Sequence, residues 1–351
     1  MKSSYKERDV TILLKDITGI IEPTPTEERE KKIQNGVHYS EMLPLEYEPT
    51  KKYIELYGLA LKNYSEKTAY AVGSVAEKIY RDKGKNVVLV SLARAGIPVG
   101  ILIKHYLEKK YKIDEVNHYS ISIIRGKEID YNAINYILKR YSAEKLQFVD
   151  GWIGKGAILT ELKKSLANYP EIDTELAVLS DPAGLTRLYG TKEDILIPSS
   201  CLNSTVSGLI SRTFLRKDII SEEDFHGAVY YSNLINQDVS YDFINEVEQY
   251  FNFDIEYEKE EESEKTGREE VMEIASHYEI KDINFIKPGI GETTRVLLRR
   301  VPWKVLVNEK YKDEMLLQHL FRLAEEKGVP IEFYPLKNYK ACGIIKKYSD
   351  I

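Results

Sequence analysis

A carboxylate followed by a glycine-rich turn is the most informative segment of this chain. Asp150 ends an apolar strand, and Gly151, Gly154 and Gly156 follow it before a helix that begins near Ala157. Glycine has no Cβ atom, so backbone N–H groups can converge at such a turn, and the helix start adds the positive end of its dipole. This geometry suits a phosphate group, with Asp150 beside it for sugar hydroxyls.

A second turn of the same kind lies upstream. The predicted strand 87–90 leads into Ser91-Leu92-Ala93-Arg94-Ala95-Gly96. The hydroxyl and the guanidinium of this segment are groups that bind diphosphate oxygens. Packing alone often places glycine between a strand and a helix, so either turn by itself is a weak indication of a phosphate site. Two such turns on neighbouring strands predict one ligand with a phosphate at each end.

Composition indicates a two-domain protein with an uneven charge distribution. The chain has 351 residues, of which 43% are hydrophobic and 30% charged, and a net charge of −6. This length can bury more than one core. From Asp282 to the end, 13 Lys and Arg stand against 9 Asp and Glu, a net +4, which leaves −10 for the rest. A locally basic module therefore follows an acidic body.

The cysteines and the first residues bear on the cellular compartment. Cys201 and Cys342 are the two cysteines of the chain, and their separation fits neither a disulfide framework nor a zinc site. The first residues have no apolar signal core, and no stretch approaches the length of a membrane span. We therefore expect a cytoplasmic protein that does not associate with a membrane.

Strands and helices alternate through the middle of the chain. Apolar spacing predicts a long helix over 51–81, strands at 87–90, 116–124, 146–150, 175–180 and 195–198, and helices at 97–109, 130–141 and 157–167. This order indicates an α/β fold with a parallel sheet and helices on both faces. Ligands of such sheets gather at the carboxyl ends of the strands, where Ser91, Asp150 and Asp181 fall.

The same pattern divides the chain into four segments. We predict an N-terminal arm at 1–37, an α/β domain at 38–250, an acidic linker at 251–281 and a small α/β module at 282–351. The module is predicted from strands at 283–286, 304–307, 331–334 and 341–345 and from helices at 289–300 and 313–327.

Four motifs together resemble the phosphoribosyltransferases found in bacterial tellurite- and stress-resistance gene clusters. They are the segments 91–100, 148–157, 181–184 and 200–212, extended by 224–228. The 56 residues between Arg94 and Asp150 match the distance between the pyrophosphate and ribose-phosphate loops of type I phosphoribosyltransferases. The resemblance covers about residues 38–248 and implies a type I phosphoribosyltransferase-like sheet.

The resemblance also implies an activity and a set of site residues. The enzyme would use phosphoribosyl diphosphate and Mg²⁺ to transfer a ribosyl phosphate to an unidentified base or nucleic-acid-linked acceptor. Arg94 and Asp150 would be catalytic, with Mg²⁺ held mainly by the diphosphate and indirectly by Asp150. The implied substrate-binding residues are Ser91, Ala93, Ala95, Gly96, Gly151, Trp152, Gly154, Lys155, Gly156, Ala157, Asp181, Ser204, Thr205 and Arg212.

Two departures from the family pattern keep an alternative open. Val149 stands where the family has a second acid, and Ile153-Gly154-Lys155-Gly156 replaces its threonine-rich turn. The lysine supplies a charge that compensates for the lost hydroxyls. The single acid favours a catalytically silent, nucleotide-sensing regulator that binds RNA as the alternative function.

The segment 200–212 has a purely structural explanation as well. Ser199 and Asn203 would then cap a helix that runs to Leu215. Related proteins are also described as cysteine proteases, for which Cys201 and His226 are the dyad that this sequence offers. A thiolate catalyst needs a lowered pKa, a histidine within reach and an oxyanion hole. Most isolated cysteines are packing residues, so we rank proteolysis below transfer.

The C-terminal module resembles the RNA-binding edge of the pelota/ribosomal L7Ae-like fold. The resemblance runs from about Asp282 to Tyr348 and centres on the cationic, glycine-flexed turn within 284–295. The implied RNA contacts are Lys287, Gly289, Gly291, Glu292, Thr293 and Arg295. Phosphate contacts would supply salt-dependent affinity, and exposed bases would supply specificity. A protein-docking appendage is the alternative, and the oligomeric state stays open, a homodimer included.

Overall fold

The computed structural model of the protein describes residues 1–46, 48–257 and 267–347. Its helices are α1 (Thr26–Gln34), α2 (Lys51–Lys83), α3 (Gly96–Tyr111), α4 (Tyr131–Leu138), α5 (Ala157–Ser165), α6 (Ser240–Glu248), α7 (Gly267–His277), α8 (Ile290–Arg299) and α9 (Met315–Lys327). Its strands are β1 (Thr11–Ile12), β2 (Lys15–Asp16), β3 (Val88–Leu92), β4 (Asn117–Ile121), β5 (Leu146–Val149), β6 (Leu176–Ser180), β7 (Tyr189–Thr191), β8 (Gly227–Ala228), β9 (Ile286–Pro288), β10 (Pro302–Val307), β11 (Ile331–Phe333) and β12 (Ala341–Ile345).

A six-stranded parallel sheet forms the centre of the first domain, in the order β1-β4-β3-β5-β6-β7. Successive strand residues face opposite sides of a sheet. Accordingly, Leu89 packs with α2 and α3 on one face, whereas Val88 and Val90 pack with α4 and α5 on the other. Because both faces are covered, β3 is buried along its whole length. The predicted α/β class, with helices on both faces of a parallel sheet, is confirmed.

The order of the strands reverses at β3. β4 pairs with one edge of β3, and β5 pairs with the other. The connections that leave β3 and β5 therefore diverge, and a crevice opens at the carboxyl ends of these strands, where open α/β sheets bind their ligands. Both glycine turns lie at this crevice.

The segment before β8 differs from the prediction. The strand predicted at 195–198 is wrong: the edge strand is β7, and the chain instead forms a 3₁₀ turn at Pro198–Cys201. Proline lacks the N–H group that would extend a strand ladder. A second 3₁₀ turn, Ser204–Val206, stands in place of the helix considered up to Leu215. The N-terminal arm also adds elements that its sequence pattern does not predict, since β1 joins the sheet and β2 pairs with β8.

The C-terminal domain has a four-stranded sheet in the order β11-β10-β12-β9, with α8 and α9 packed beside it. The helix α7 belongs to the same core, because Val271, Ile274 and Ala275 cluster with Ile286 of β9. The segment predicted as an acidic linker thus includes α7, while its residues 258–266, like Tyr348, lie outside the described residues. Within the described ranges, no helix is long and apolar enough to cross a membrane.

The two domains share one hydrophobic cluster, in which Ile290 and Leu297 of α8 join residues of the first domain. Asp194 of the first domain also caps α8. Its two carboxylate oxygens accept the Ile290 N–H at 3.0 and 3.2 Å, and one of them accepts the Lys340 N–H at 2.9 Å. The first N–H groups of a helix have no partner within the helix, so this contact completes α8 from outside its own domain.

Candidate functional site

The two glycine turns touch each other. A Cβ atom on Gly96 would lie 2.4 Å from the carbonyl oxygen of Val149 and 3.1 Å from the Cα of Asp150. Only glycine permits this approach of the two backbones. A Cβ on Gly151 would lie 3.7 Å from that of Ala95. The turns therefore lie side by side at one rim of the sheet, as the sequence predicts.

The turn after β3, which includes Ala93 and the cis peptide Ala93–Arg94, is occupied by the protein's own groups. The Arg94 guanidinium donates to the Asn203 amide oxygen at 2.7 Å, to the Ile210 carbonyl at 3.0 Å and to the Glu46 carboxylate at 3.3 Å. Arginine in this position connects three segments of the first domain. The cation predicted to neutralise a diphosphate is thus committed to internal contacts.

Two further predicted ligand groups point into the protein. Ser91 is fully buried, and its hydroxyl donates to the Gly96 carbonyl at 2.9 Å and lies 2.7 Å from His118 Nε2. Asp181 is also fully buried and accepts the backbone N–H groups of the segment 185–186 at 2.6 and 2.8 Å. Both residues stabilise turns from within, so neither is placed to contact a substrate.

Ser204 and Thr205 are likewise enclosed. Each is 1% exposed. Their carbonyl oxygens accept the N–H groups of Leu209 at 2.9 Å and of Val239 at 2.7 Å. This turn fastens the chain to the segment before α6. The two buried hydroxyl oxygens have no hydrogen-bond partner among the described residues, and their contact with a substrate stays a prediction.

The turn after β5, in contrast, opens into a cleft of about 610 Å³ between the two domains. Its lining includes Asp150, Trp152 and the segment 153–157, and Ala95 of the other turn lies at its edge. The volume falls in the range of about 300–1,000 Å³ that is usual for ligand pockets. The cleft is therefore the candidate functional site.

Positive charge dominates this cleft. Among the described residues, its cations are Arg29, Arg125, Lys155, Arg212, Lys287, Arg295, Arg300 and Lys347. Its acids are Glu30, Asp150, Asp282 and Glu292. Clefts lined by one sign of charge focus the electric field and concentrate ligands of the opposite sign. The site is suited to an anion.

Burial changes the protonation of the groups at the centre of the cleft. It raises the pKa of Asp150 to about 7, although Arg295 acts in the opposite direction. It lowers the pKa of Lys155 to about 7, and the charges of Lys287 and Arg125 lower it further. Burial also lowers the pKa of Lys287 to about 8. A bound anion would favour the charged form of both lysines.

The phosphate-type turn also holds the C-terminal domain in place. The Lys155 ammonium group donates to the carbonyl oxygens of Ile283 and Ile286, the latter at 3.1 Å. The Tyr339 hydroxyl donates to the Gly154 carbonyl at 2.5 Å. Groups predicted to cradle a phosphate thus also form the junction between the domains.

The residues predicted to contact RNA divide into two groups. Three are buried at the domain junction: Gly289, Gly291 and Thr293. The other three line the cleft: Lys287, Glu292 and Arg295. Arg295 pairs with Glu292 at 3.3 Å, and its guanidinium lies 4.5 Å from the centre of the Trp152 ring. An RNA contact by α8 would therefore share the cleft with the first domain.

Several cleft residues escape prediction from the sequence. They are Arg29, Glu30, Tyr39 and Arg125. Arg29 and Glu30 belong to α1, in the segment predicted as an irregular arm. Proline before a run of acidic residues is a helix-start signal, and Pro25 with Glu27 and Glu28 supplies it. That signal predicts the helix, although not its position beside the sheet.

Cys201 and His226 have separate neighbours. The His226 ring lies 2.8 Å from the Ser122 hydroxyl, and its backbone N–H donates to Asp130 at 2.6 Å. Cys201 is 1% exposed and packs in the hydrophobic cluster that contains Tyr57. None of these contacts joins the two residues of the dyad considered from the sequence.

Metal binding stays a prediction. Within the described ranges, no group of three or more His, Cys, Asp and Glu side chains is placed to hold a metal ion. The expected Mg²⁺ would be held mainly by a ligand's phosphates, with Asp150 nearby, and the arrangement of protein groups does not test it.

Comparison with known proteins identifies the family. Residues 3–248 match the family described as tellurite-like stress resistance cysteine protease StiP. The chain belongs to the StiP family. The cysteine protease StiP of Acinetobacter baylyi (strain ATCC 33305 / BD413 / ADP1) is 36% identical over 364 residues, which cover 98% of this chain and 94% of that protein. Residues 265–347 match the PELOTA RNA binding domain. The resemblance to a stress-resistance family with a pelota-like domain is thus confirmed.

These findings correct the predicted activity. The StiP family and the A. baylyi relative are described as cysteine proteases, so phosphoribosyl transfer as the main function is wrong. The nucleotide-sensing alternative gains no support either. Two structures of a hypoxanthine-guanine phosphoribosyltransferase from Bacillus anthracis str. 'Ames Ancestor' are 18% and 17% identical, with TM-scores of 0.25 and 0.24, over 35% of this chain and 71% of theirs. A likeness this weak carries no argument about activity.

Proposed function

We propose that this StiP-family chain is a stress-resistance protein that binds RNA in the cleft between its two domains. The observation that carries the proposal is the charge of the cleft, where cations from both domains outnumber acids two to one among the described residues. The match of residues 265–347 to the PELOTA RNA binding domain supports RNA as the anion.

The shape and composition of the cleft favour an unpaired strand. Its volume of about 610 Å³ is that of a ligand pocket and not of a groove for a duplex. Trp152 and Tyr39 lie in its lining and offer ring faces on which unpaired bases can stack. Arg125, Lys287 and Arg295 would contact phosphates, and arginine suits this role because its donors form a planar fork.

Fluorescence anisotropy with a short single-stranded RNA tests the proposal. Each phosphate contact on a single strand contributes about 0.7 to the slope of log affinity against log salt. The double variant Lys287→Gln/Arg295→Gln should therefore lower that slope by about 1.4. Lys163→Gln/Lys164→Gln, on the exposed side of α5, removes the same charge away from the cleft and serves as the matched control. Equal slopes for the two double variants, or no RNA binding by the full chain, would refute the proposal.

A second candidate is peptide hydrolysis by a thiol, which the description of the family and of the A. baylyi relative favours. Cys201 follows Ser200, which lies in a small pocket at the domain junction with Trp152 and Gly291. A movement of the C-terminal domain would uncover this part of the chain. Hydrolysis would then need Cys201 and an imidazole to come together.

Digestion of a denatured protein substrate, with and without iodoacetamide, tests this candidate. A Cys201 protease loses hydrolysis in Cys201→Ala and keeps it in Cys342→Ala, which removes the buried thiol of the C-terminal core. Hydrolysis that is unchanged in Cys201→Ala excludes this residue as the nucleophile.

A further inference from the structure

Three arginines from separate elements meet at one side of the cleft. Arg29 comes from α1, Arg212 follows the 3₁₀ turn Ser204–Val206, and Arg300 follows α8. We call them the arginine cluster. Burial lowers the pKa of Arg212 to about 10, and the positive charges of Arg29, Arg94 and Arg300 contribute in the same direction. The positive charges of the three guanidinium groups therefore repel one another, although the three residues are far apart in the sequence.

Protein carboxylates neutralise only part of this charge. Glu30 pairs with Arg300, with its oxygens 2.8 Å from Nε and 2.9 Å from Nη2, and it lies 3.9 Å from Nη2 of Arg29. The nearby Glu46 pairs with Arg94 at 3.3 Å. The arginine cluster with Glu30 therefore has a net charge of +2.

Arg29 and Arg212 have guanidinium N–H groups that no described residue accepts. Arg29 is 6% exposed, and its Nε finds no hydrogen-bond acceptor among the described residues. Arg212 stacks on Tyr39, with its guanidinium 4.6 Å from the ring centre, and forms no ion pair within the described part of the chain. A buried charged donor without an acceptor is unfavourable, so the arrangement is more stable with an anion bound.

The charge identifies the class of anion. A phosphate in the middle of an RNA strand is a diester and carries a single negative charge. A phosphate monoester carries about −1.5 to −2 at neutral pH and presents three strong acceptor oxygens. The arginine cluster with Glu30 has a charge of +2, and its Arg29 is buried. These properties match a phosphate monoester.

We propose that the arginine cluster binds a terminal phosphate monoester of single-stranded RNA, with the adjoining nucleotide in the cleft beside Tyr39 and Trp152. This inference rests on the proposed function and adds the part of the RNA that is recognised. The planar guanidinium of Arg212 would donate hydrogen bonds to two phosphate oxygens, while Arg29 and Arg300 would contact the remaining one.

Anisotropy with one RNA sequence in three forms, carrying a 5′-phosphate, a 3′-phosphate or two hydroxyl ends, tests the inference. One phosphorylated form should bind about tenfold tighter than the hydroxyl form. Arg212→Gln should abolish this advantage. Arg212→Lys, which keeps the charge and loses the planar fork, should reduce it, and Lys163→Gln should leave it unchanged. Arg212→Gln is suited to the test because it relieves repulsion inside the cluster, and an unfolding curve verifies that the variant is folded.

The possible outcomes are distinct. Equal affinity for all three RNA forms overturns this inference and leaves RNA binding by the cleft intact. Failure of every form to bind overturns the proposed function together with the inference. A free nucleoside monophosphate that competes at the affinity of the phosphorylated RNA overturns the assignment to an RNA end, since the site would then belong to a small nucleotide. An end-phosphate advantage that survives Arg212→Gln overturns the placement in the arginine cluster.

Discussion

The two glycine turns at the rim of the sheet have similar residue types and opposite surroundings. After β3, Arg94 is held by Glu46 and Asn203, and no ligand is needed to satisfy it. After β5, Asp150 and Lys155 line a cationic cleft and have strongly shifted pKa values, and Lys155 also donates to two carbonyl oxygens of the C-terminal domain. A glycine-rich turn thus specifies a close approach of the backbone, while the rest of the chain decides whether the space above it is filled or open.

Gly96→Ala should have the largest effect, because it breaks the contact between the turns. The new Cβ would lie 2.4 Å from the Val149 carbonyl oxygen, and the backbone of β5 cannot yield without disturbing the sheet. We expect a loss of about 4 kcal/mol in the free energy of unfolding, measured with urea. Gly58→Ala, on the exposed side of α2 with nothing within 4 Å, should stabilise the protein by up to about 1 kcal/mol. Equal effects would show that the turns do not touch.

The second prediction concerns pH and the open turn. The folded protein keeps Asp150 protonated up to about pH 7, whereas the unfolded chain releases that proton near 3.8. Between these values the folded state binds more protons, so the free energy of unfolding falls as pH rises. Asp150→Asn should remove this decline. Asp254→Asn, at an exposed position, should keep it, and a decline that persists in Asp150→Asn would contradict the assignment.

Lys155 should act with the opposite sign on the alkaline side. Its pKa is about 7 in the folded protein and 10.5 ordinarily, so between these values the unfolded state binds more protons. The contribution of Lys155 to stability therefore rises with pH over this range. Lys155→Gln should flatten that part of the stability curve without changing the acidic part.

Substituting one cation in each turn tests the difference between the two turns. Arg94→Gln should lower the free energy of unfolding by about 2 kcal/mol, because Glu46 loses its cation, and should leave the salt dependence of RNA binding unchanged. Lys155→Gln should lower the salt slope by about 0.7. Salt titrations followed by anisotropy distinguish the two. A drop in slope for Arg94→Gln equal to that for Lys155→Gln would mean that the first turn is also open.

The smallest expected effect is that of Trp152→Leu. The loss of the ring that lies 4.5 Å from the Arg295 guanidinium, and that would stack on a base, should weaken RNA binding by about 1 kcal/mol, or fivefold. The other tryptophan, Trp303, is 40% exposed on β10 and is not part of the cleft lining, so Trp303→Leu is the matched control. Anisotropy that shows the same loss for both would argue against stacking in the cleft.

Regular patterns in the sequence predicted most of the fold. The strand Ala341–Ile345 has the predicted bounds, and α2 ends two residues beyond its prediction because a continuous apolar stripe marks it. The two-residue strand β1 has no period to detect, and it exists because β4 offers it an unpaired edge. Proline at position 198 was a sign against the strand predicted there.

The site was predictable only where it depends on neighbouring strands. Asp150 and the turn that follows it could be placed because parallel strands end at a common edge. The arginine cluster could not be predicted, since Arg29 and Arg300 come from opposite ends of the chain and meet only after both domains have packed. The burial of Ser91 beneath its own turn likewise depends on His118 from the adjacent strand.

The cap on α8 affects whether the C-terminal domain can be transferred to another protein. Asp194 supplies the carboxylate for its first helical turn, and the residues that precede that turn, Pro288 and Gly289, offer no side-chain acceptor of their own. A transplant of residues 267–347 into another protein would therefore begin this helix with an open end. The domain therefore depends on Asp194 for this cap. A Ser or Asp in place of Gly289 would not replace it, because the φ of +93° at Gly289 is one that residues other than glycine rarely adopt.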